Sequence, residues 1–189
     1  PTGRPAWPII LLAGREKSGK SYAAAESATS DLIHAAYWVT VGEDEPDELG
    51  LIAPDLHIVQ HDGSYHAILT AIREVSQVPA VDGRPALLVL DSISMVWSML
   101  TDEAQRLANR RAARKAERAR KPAPSEDVTI SMDLWNRAAG RWRRLMDALR
   151  AHPGPVILTA RLAEVSVLDK NGDPTGAKDW KVEGHKTLP

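Results

Sequence analysis

A short stretch near the start of the chain has the residue types and spacing needed to hold a polyphosphate. It reads Gly14-Arg15-Glu16-Lys17-Ser18-Gly19-Lys20-Ser21 and fits the pattern G-x-x-x-x-G-K-[ST], the P-loop or Walker A motif. Its glycines let the backbone curl, so that several N–H groups point inward at phosphate oxygens. We expect Lys20 to reach the β- and γ-phosphates and the Ser21 hydroxyl to bind Mg²⁺. With Tyr22 added, the predicted phosphate-binding residues are Gly14, Arg15, Glu16, Lys17, Ser18, Gly19, Lys20, Ser21 and Tyr22.

The flanks of this loop have the composition that such a site requires. Residues 8–13 are apolar enough for a buried strand, and residues 20–29 contain good helix formers. A helix that starts at the loop adds the positive end of its dipole to the phosphate site. The alternative is a glycine-rich turn that binds nothing.

A second chemical feature is an apolar run that ends in an acid, Ala86-Leu87-Leu88-Val89-Leu90-Asp91-Ser92. Parallel strands covered by helices on both faces have this composition. The acid falls at the carboxyl end of the strand, where open α/β sheets bind ligands. We therefore predict a Walker B strand whose Asp91 holds Mg²⁺ opposite Ser21. Taken alone, the run would be a core strand with an ordinary capping Asp.

Hydrolysis also needs a group that orients or deprotonates water at the γ-phosphate. Many ATPases have a Glu directly after the Walker B Asp, but Ser92 stands there in this chain. The best candidate base is Glu43, just past the predicted strand 35–41, with Asp44 and Glu45 as competitors. Alternatively, this acidic loop is simply solvated.

The strand 155–159 is followed by Ala160 and Arg161, and we expect it to lie beside the Walker B strand. A polar side chain at that end can sense the γ-phosphate and signal to the hairpin that follows. Thr159 or Arg161 is the candidate. The alternative role for Arg161 is a surface salt bridge.

The composition changes to alanine and basic residues between Arg106 and Lys121, where Glu117 is the single acid and Leu107 the only large aliphatic residue. This segment can be helical, but it lacks an apolar stripe. It is either a solvated, partly mobile insertion at about 103–126 or an arm that contacts nucleic-acid phosphates. The candidate DNA-binding residues are Arg110, Arg111, Arg114, Lys115 and Arg118.

The remaining pattern completes an α/β fold. We predict a short strand near 56–59, helices over 65–75 and 132–149, and a hairpin around Asn171-Gly172. The apolar side chains of the second helix are more typical of a core than of a base-stacking surface. The fold class is thus a P-loop NTPase with a mostly parallel central sheet flanked by helices and a C-terminal hairpin, in a single domain over 1–189.

Composition limits the other possibilities. The chain has 189 residues and a net charge of -1, which suits one soluble domain. It has no cysteine, which excludes a disulfide framework and a cysteine-based zinc site. We expect no membrane span and no signal peptide. Because it opens on Pro1 without methionine and stops at Pro189, we also expect it to be a piece of a longer protein, trimmed at the C-terminus.

The order of these features resembles that of RecA-like ATPases. A Walker A motif, a strand ending in Gly42-Glu43, a Walker B strand ending in Asp91-Ser92, a polar strand end and a hairpin follow each other over nearly the whole chain. Within that superfamily, the Leu90-Asp91-Ser92 context and the tail 180–186 make the chain most similar to the minimal AAA-family members of bacteriophages. These are RecA- or RadA-like, core-only, single-strand annealing proteins of the Sak-four type.

The resemblance implies a DNA-dependent ATPase that uses ATP and Mg²⁺ and acts in phage recombination, in the cytoplasm of the bacterial host. It implies a homo-oligomer, as a ring or filament, with ATP at the subunit interface, where Lys181 and Lys186 of one subunit reach the neighbour's γ-phosphate. It also implies binding of single-stranded DNA through segments 106–121 and 163–177, annealing or strand exchange, and a single-strand-binding protein as a further partner. The chain departs from the family in having Thr159 and Arg161 where RecA has glutamine.

Two other functions stay open at this point. Many nucleotide and small-molecule kinases share the P-loop, and segment 106–121 has the arginines of a kinase lid, although no acceptor motif stands out. A nucleotide-binding scaffold that anneals DNA with little hydrolysis is the other alternative.

Overall fold

The computed structural model describes residues 7–42, 47–170 and 172–184. Along the chain, strands alternate with helices as far as the fourth strand. Two consecutive helices follow it, and the last two strands form a hairpin. The elements are β1 (Ile9–Gly14), α1 (Lys20–Ser27), β2 (Ala35–Thr40), a short 3-10 helix (Asp47–Leu51), β3 (Leu56–Ile58), α2 (Tyr65–Val75), β4 (Ala86–Asp91), α3 (Ile93–Arg118), α4 (Met132–Arg150), β5 (Val156–Leu168) and β6 (Pro174–Val182).

These strands form one sheet in the order β1-β5-β4-β2-β3, and β6 pairs with β5 outside this path. All pairs among β1 to β5 are parallel, and the β5–β6 pair is antiparallel. The predicted α/β class, with a mostly parallel sheet flanked by helices and a C-terminal hairpin, is therefore confirmed. The carboxyl ends of β1, β2, β4 and β5 meet at one edge, where ligands bind in such sheets.

Side chains alternate between the two faces of the sheet and build a separate core on each. One face carries α2, α3 and α4, with Val39, Leu88 and Trp142 in its core. The other face carries α1, whose Ala24 and Ala25 pack near Trp38 and Val89. Because β4 is covered on both faces, all of its residues are buried, as its continuous apolar composition predicts.

The first part of the basic segment belongs to a long helix and is not a separate insertion, because α3 runs unbroken from Ile93 to Arg118. The sequence predicted a basic segment without an apolar stripe over 106–121. Most of that segment is exposed or half-buried, as predicted, and it packs only at its start. Ala104 and Ala108 are buried against Leu134 of α4. Alanine lets two helices approach closely, so a packed face needs no large aliphatic side chain.

The chain that returns from α3 to α4 is held to α3 by polar side chains. Gln105 donates from Nε2 to the carbonyl of Val128 at 2.8 Å. Asn109 donates to Asp127 at 2.7 Å and accepts from the Val128 N–H at 3.1 Å. These bonds, with Val128 and Ile130 packed beside Leu134, order the return segment without a large core.

The strand after α4 is longer than its sequence indicated. We predicted that it ends at Thr159-Ala160-Arg161, but β5 continues to Leu168 and pairs with β6 over this extension. The predicted hairpin is present, and Asn171 of its turn lies outside the described residues. None of the described helices combines the length and the apolar character that a membrane crossing needs.

A buried histidine makes the stability of this fold depend on pH. His152 is 7% exposed, and its Nε2 lies 3.0 Å from the carbonyl oxygen of Ala86. Burial lowers the pKa of His152 below its ordinary value of 6.5, and the hydrogen bond to Ala86 opposes this only in part. The unfolded chain therefore binds the proton more readily than the folded chain does.

We expect the free energy of unfolding to decrease as the pH falls below about 6.5, by at most about 1.4 kcal/mol per pH unit for this group. Urea titrations between pH 7.5 and about pH 5 measure the slope. In His152→Asn the slope is expected to be smaller. His66→Asn, which changes an exposed side chain of α2, is the matched control and keeps the wild-type slope. Equal slopes in all three proteins would contradict the assignment.

Candidate functional site

The loop between β1 and α1 has the curled backbone that its glycines predict. Gly19 has φ 83° and is the N-cap of α1, and Lys17 also has a positive φ of 57°. The N–H of Ser18 donates to the carbonyl of Arg15 at 3.2 Å, which closes the turn. A Cβ at Gly14 would collide with Ser18 Oγ, so a larger residue there would require this hydroxyl to rotate away.

A cavity of about 290 Å³ opens beside this loop at the carboxyl edge of the sheet. Lys20 crosses the loop and donates from Nζ to the carbonyl oxygen of Arg15 at 2.8 Å. This bond holds the ammonium group against the loop. The cavity is lined by loop residues and by two residues from neighbouring strands: Glu16, Lys17, Ser18, Gly19, Lys20, Ser21, Tyr22, Asp91 and Arg161.

The acid at the end of β4 meets the serine at the start of α1. Asp91 is 5% exposed, and its Oδ2 accepts from Ser21 Oγ at 2.7 Å. Its Oδ1 accepts from Thr159 Oγ1 on β5. The pairing of Ser21 with Asp91, predicted from two separate motifs, is therefore present. Lysine and arginine side chains of the described part of the chain form no salt bridge with Asp91.

This group of oxygens has the chemistry of a Mg²⁺ site. A carboxylate and a hydroxyl are hard ligands, and Mg²⁺ is usually held by one or two carboxylates together with substrate phosphates and waters. Within residues 7–42, 47–170 and 172–184, no cluster of three or more His, Asp or Glu side chains could hold a metal by itself. Ser21 and Asp91 therefore fit an ion that also binds phosphate oxygens.

Ser92, which stands where many ATPases have a catalytic acid, has a structural role here. It is the N-cap of α3, and its Oγ accepts from the N–H of Met95 at 3.4 Å. The peptide bond between Asp91 and Ser92 is cis. A serine at this position thus starts the helix that follows the acid.

The two predicted sensor residues have different surroundings. Arg161 lines the cavity, whereas Thr159 is 0% exposed and reaches the site only through Asp91. The backbone N–H of Arg161 donates to Ser94 Oγ at 3.0 Å, and this hydroxyl donates to the carbonyl of Glu183 at 2.5 Å. Ser94 therefore ties the start of α3 to both strands of the hairpin.

The hairpin also touches the glycine-rich loop between β1 and α1 directly. The guanidinium of Arg15 lies over the ring of Trp180, 4.4 Å from its centroid. On the opposite strand, Glu164 forms a salt bridge with Lys178 at 3.1 Å. Lys181 is exposed on β6, opposite Ala163, and does not line the cavity of its own chain.

Several predicted residues lie outside the described residues. They are the candidate bases Glu43, Asp44 and Glu45, and the second tail lysine, Lys186.

The predicted DNA-binding residues lie on the second half of α3, about 25–40 Å along the helix axis from its start beside Asp91. Arg110, Arg114, Lys115 and Arg118 are exposed. Arg111 instead forms a salt bridge with Asp133 at 2.6 Å. Hydrogen bonds from the Ser131 hydroxyl and from Arg111 hold the pKa of Asp133 below its ordinary value. Arg111 is thus engaged in joining α3 to α4, and the other cations face solvent.

The sequence did not point to three residues that the structure places at this edge. Ser94 and Trp180 had no assigned role, and Thr40, in register with Asp91, was taken only as part of a strand. A polar residue in the first turn of a helix, such as Ser94, or near the end of a strand, such as Thr40, is the signal that marks such positions.

No protein-family model matches the chain, and no curated protein has a significantly similar sequence.

Proposed function

We propose that the chain is a P-loop nucleoside triphosphatase of the RecA-like type, which binds ATP with Mg²⁺ and hydrolyses it. The observation that carries this proposal is the 2.7 Å hydrogen bond between Ser21 Oγ and Asp91 Oδ2. It joins a glycine-rich loop to the end of a buried strand, so the two oxygen groups expected around one Mg²⁺ ion meet. A glycine-rich turn that binds no ligand would not require a buried carboxylate beside it.

The chain's own residues divide the work as follows. The N–H groups of the loop and the start of α1 bind the phosphates. Lys20 would contact the β- and γ-phosphate oxygens in place of the carbonyl of Arg15. Ser21 and Asp91 would hold Mg²⁺, which would neutralise charge on those oxygens. Arg161 faces the same cavity and is the better placed of the two sensor candidates. The proposed water-orienting base is Glu43, on sequence grounds alone.

We further propose that the chain works as a ring or filament on single-stranded DNA, in annealing or strand exchange. Lys181 is exposed on the hairpin and away from its own cavity, as a residue that serves a neighbouring subunit would be. A surface for phosphates is supplied by four exposed cations of α3 that form no salt bridge with the described residues, Arg110, Arg114, Lys115 and Arg118. A phage origin, Lys186 as a second interface residue and a single-strand-binding partner rest on the family resemblance.

ATP turnover with and without single-stranded DNA tests this function. We expect Mg²⁺-dependent release of phosphate that increases when DNA is added. Transfer of phosphate to a nucleoside monophosphate, with no effect of DNA, would instead show a kinase.

The variant Glu43→Gln distinguishes an ATPase from the scaffold alternative. It is expected to stop turnover and to leave annealing of complementary strands intact. Annealing by a wild-type protein that has no turnover would identify the scaffold.

The exposed cations of α3 give a prediction about salt dependence. Replacing Arg110, Arg114, Lys115 and Arg118 together by alanine is expected to weaken DNA binding and to reduce the slope of log K against log salt. Each lost contact with a single strand accounts for about 0.7 of this slope, so the change is up to about 3. Fluorescence anisotropy of a labelled oligonucleotide at several salt concentrations measures it.

Arg111 is left unchanged in that variant because its salt bridge with Asp133 contributes to the packing of α4. The control replaces two exposed cations elsewhere, Arg73 and Arg84, by alanine and is expected to keep the wild-type slope. A quadruple variant with the wild-type slope would mean that this half of α3 is only a solvated helix.

A further inference from the structure

One side-chain oxygen beside the proposed Mg²⁺ site is buried and has no hydrogen-bond partner among the described residues. It is Oγ1 of Thr40, the last residue of β2. A hydroxyl that is taken out of water without a partner costs folding free energy, so buried hydroxyls are almost always paired with protein or water. The exception at Thr40 therefore needs an explanation.

Strand pairing places this hydroxyl next to Asp91. Thr40 and Asp91 are partners in the parallel β2–β4 pair, and neighbouring strands lie about 4.8 Å apart. Trp38 on β2 and Val89 on β4 lie two residues earlier, in the core against α1. Because side chains alternate, Thr40 and Asp91 point to that same face, which is also the face of Ser21.

The groups around Thr40 are already engaged. Its carbonyl oxygen lies 2.7 Å from Nε2 of His61, and the next residue, Val41, donates its N–H to the carbonyl of Asp91 at 2.5 Å. The two carboxylate oxygens of Asp91 accept from Ser21 and Thr159. Thr40 is thus held in place beside the acid and outside the residues that line the cavity, and its buried hydroxyl has no partner among the described residues.

We propose that Thr40 is a positioning residue of the cation site, and that its hydroxyl hydrogen-bonds to a water of the hydrated Mg²⁺ ion held by Ser21 and Asp91. The inference rests on the proposed function. Mg²⁺ gives up its waters reluctantly and keeps several of them when it is bound to protein and phosphate. Outer-shell hydrogen bonds of this kind commonly change metal affinity 10- to 100-fold. The bound ion would then provide the partner that Thr40 lacks.

Thr40→Val tests this, since valine has nearly the shape of threonine without the hydroxyl. We expect the Mg²⁺ concentration at half-maximal binding of a fluorescent, non-hydrolysable ATP analogue to increase about 10-fold or more. In contrast, the Tm without Mg²⁺ and nucleotide is expected to stay equal or to increase, because an unpaired buried oxygen has been removed. Thr40→Ser keeps the hydroxyl and should retain a Mg²⁺ midpoint close to that of the wild type.

The matched control is Thr101→Val on α3, whose hydroxyl donates to the carbonyl of Ser98 at 2.8 Å, away from the cavity. It should leave the Mg²⁺ midpoint unchanged. An unchanged midpoint in Thr40→Val, or a clear loss of Tm in its ligand-free form, would overturn the role of Thr40 while nucleotide binding by the wild type still supports the proposed function. Wild-type protein that binds no nucleotide with Mg²⁺ would overturn both.

Discussion

Lys20→Ala is expected to lower ATP turnover by about 100- to 1,000-fold, the usual effect of removing one preorganised group that stabilises developing charge. In the structure the Lys20 ammonium is held 2.8 Å from the carbonyl of Arg15, at the mouth of the loop. There it can move onto phosphate oxygens with little rearrangement. Alanine has a high helix propensity, so α1 should form as before. Steady-state phosphate release and thermal unfolding together measure both effects.

The control for this variant is Arg73→Ala. Arg73 is an exposed cation in the last turn of α2, and it does not line the cavity. We expect this variant to keep turnover close to that of the wild type, because the removed charge lies outside the proposed phosphate site. If Lys20→Ala kept more than about a tenth of wild-type turnover, the loop would not be the phosphate site.

Asp91→Asn is expected to reduce Mg²⁺-dependent turnover by about 100-fold and to increase the Mg²⁺ concentration that half-saturates it. Asparagine keeps the shape of the side chain and one acceptor oxygen but loses the negative charge. The charge of Asp91 is buried, and it is met by two hydroxyl groups rather than by a cation of the described residues. A bound divalent cation would be the group that compensates it.

The same substitution should barely affect the ligand-free fold. A buried charge without a cationic partner is costly, so Asp91→Asn is expected to change the free energy of unfolding by no more than about 1 kcal/mol, in either direction. Asp102→Asn, on an exposed position of α3, is the control for both measurements. Unfolding of Asp91→Asn, or turnover with the wild-type Mg²⁺ requirement, would show that Asp91 is a structural capping residue only.

Local sequence patterns were sufficient for most of the secondary structure. The helical spacing of Ile68, Leu69, Ile72 and Val75 predicted α2 over the residues that form it. The apolar run before Asp91 predicted β4, because a strand covered on both faces has no alternation. In contrast, the sequence did not predict α3 as one helix, because its composition changes to alanine and basic residues near Arg106. Alanine has no pattern of its own, and only the approach of α4 shows that Ala104 and Ala108 form a buried face.

The sequence by itself determined the conformation of the glycine-rich loop between β1 and α1, since its glycines act through backbone freedom and its polar residues through local spacing. The tertiary structure decided which polar groups meet that loop. Ser21 and Asp91 are 70 positions apart, and Thr159 lies 68 positions beyond Asp91. The register of parallel strands aligns them and adds Thr40. This register depends on packing across the whole sheet, so no local stretch of residues determines it.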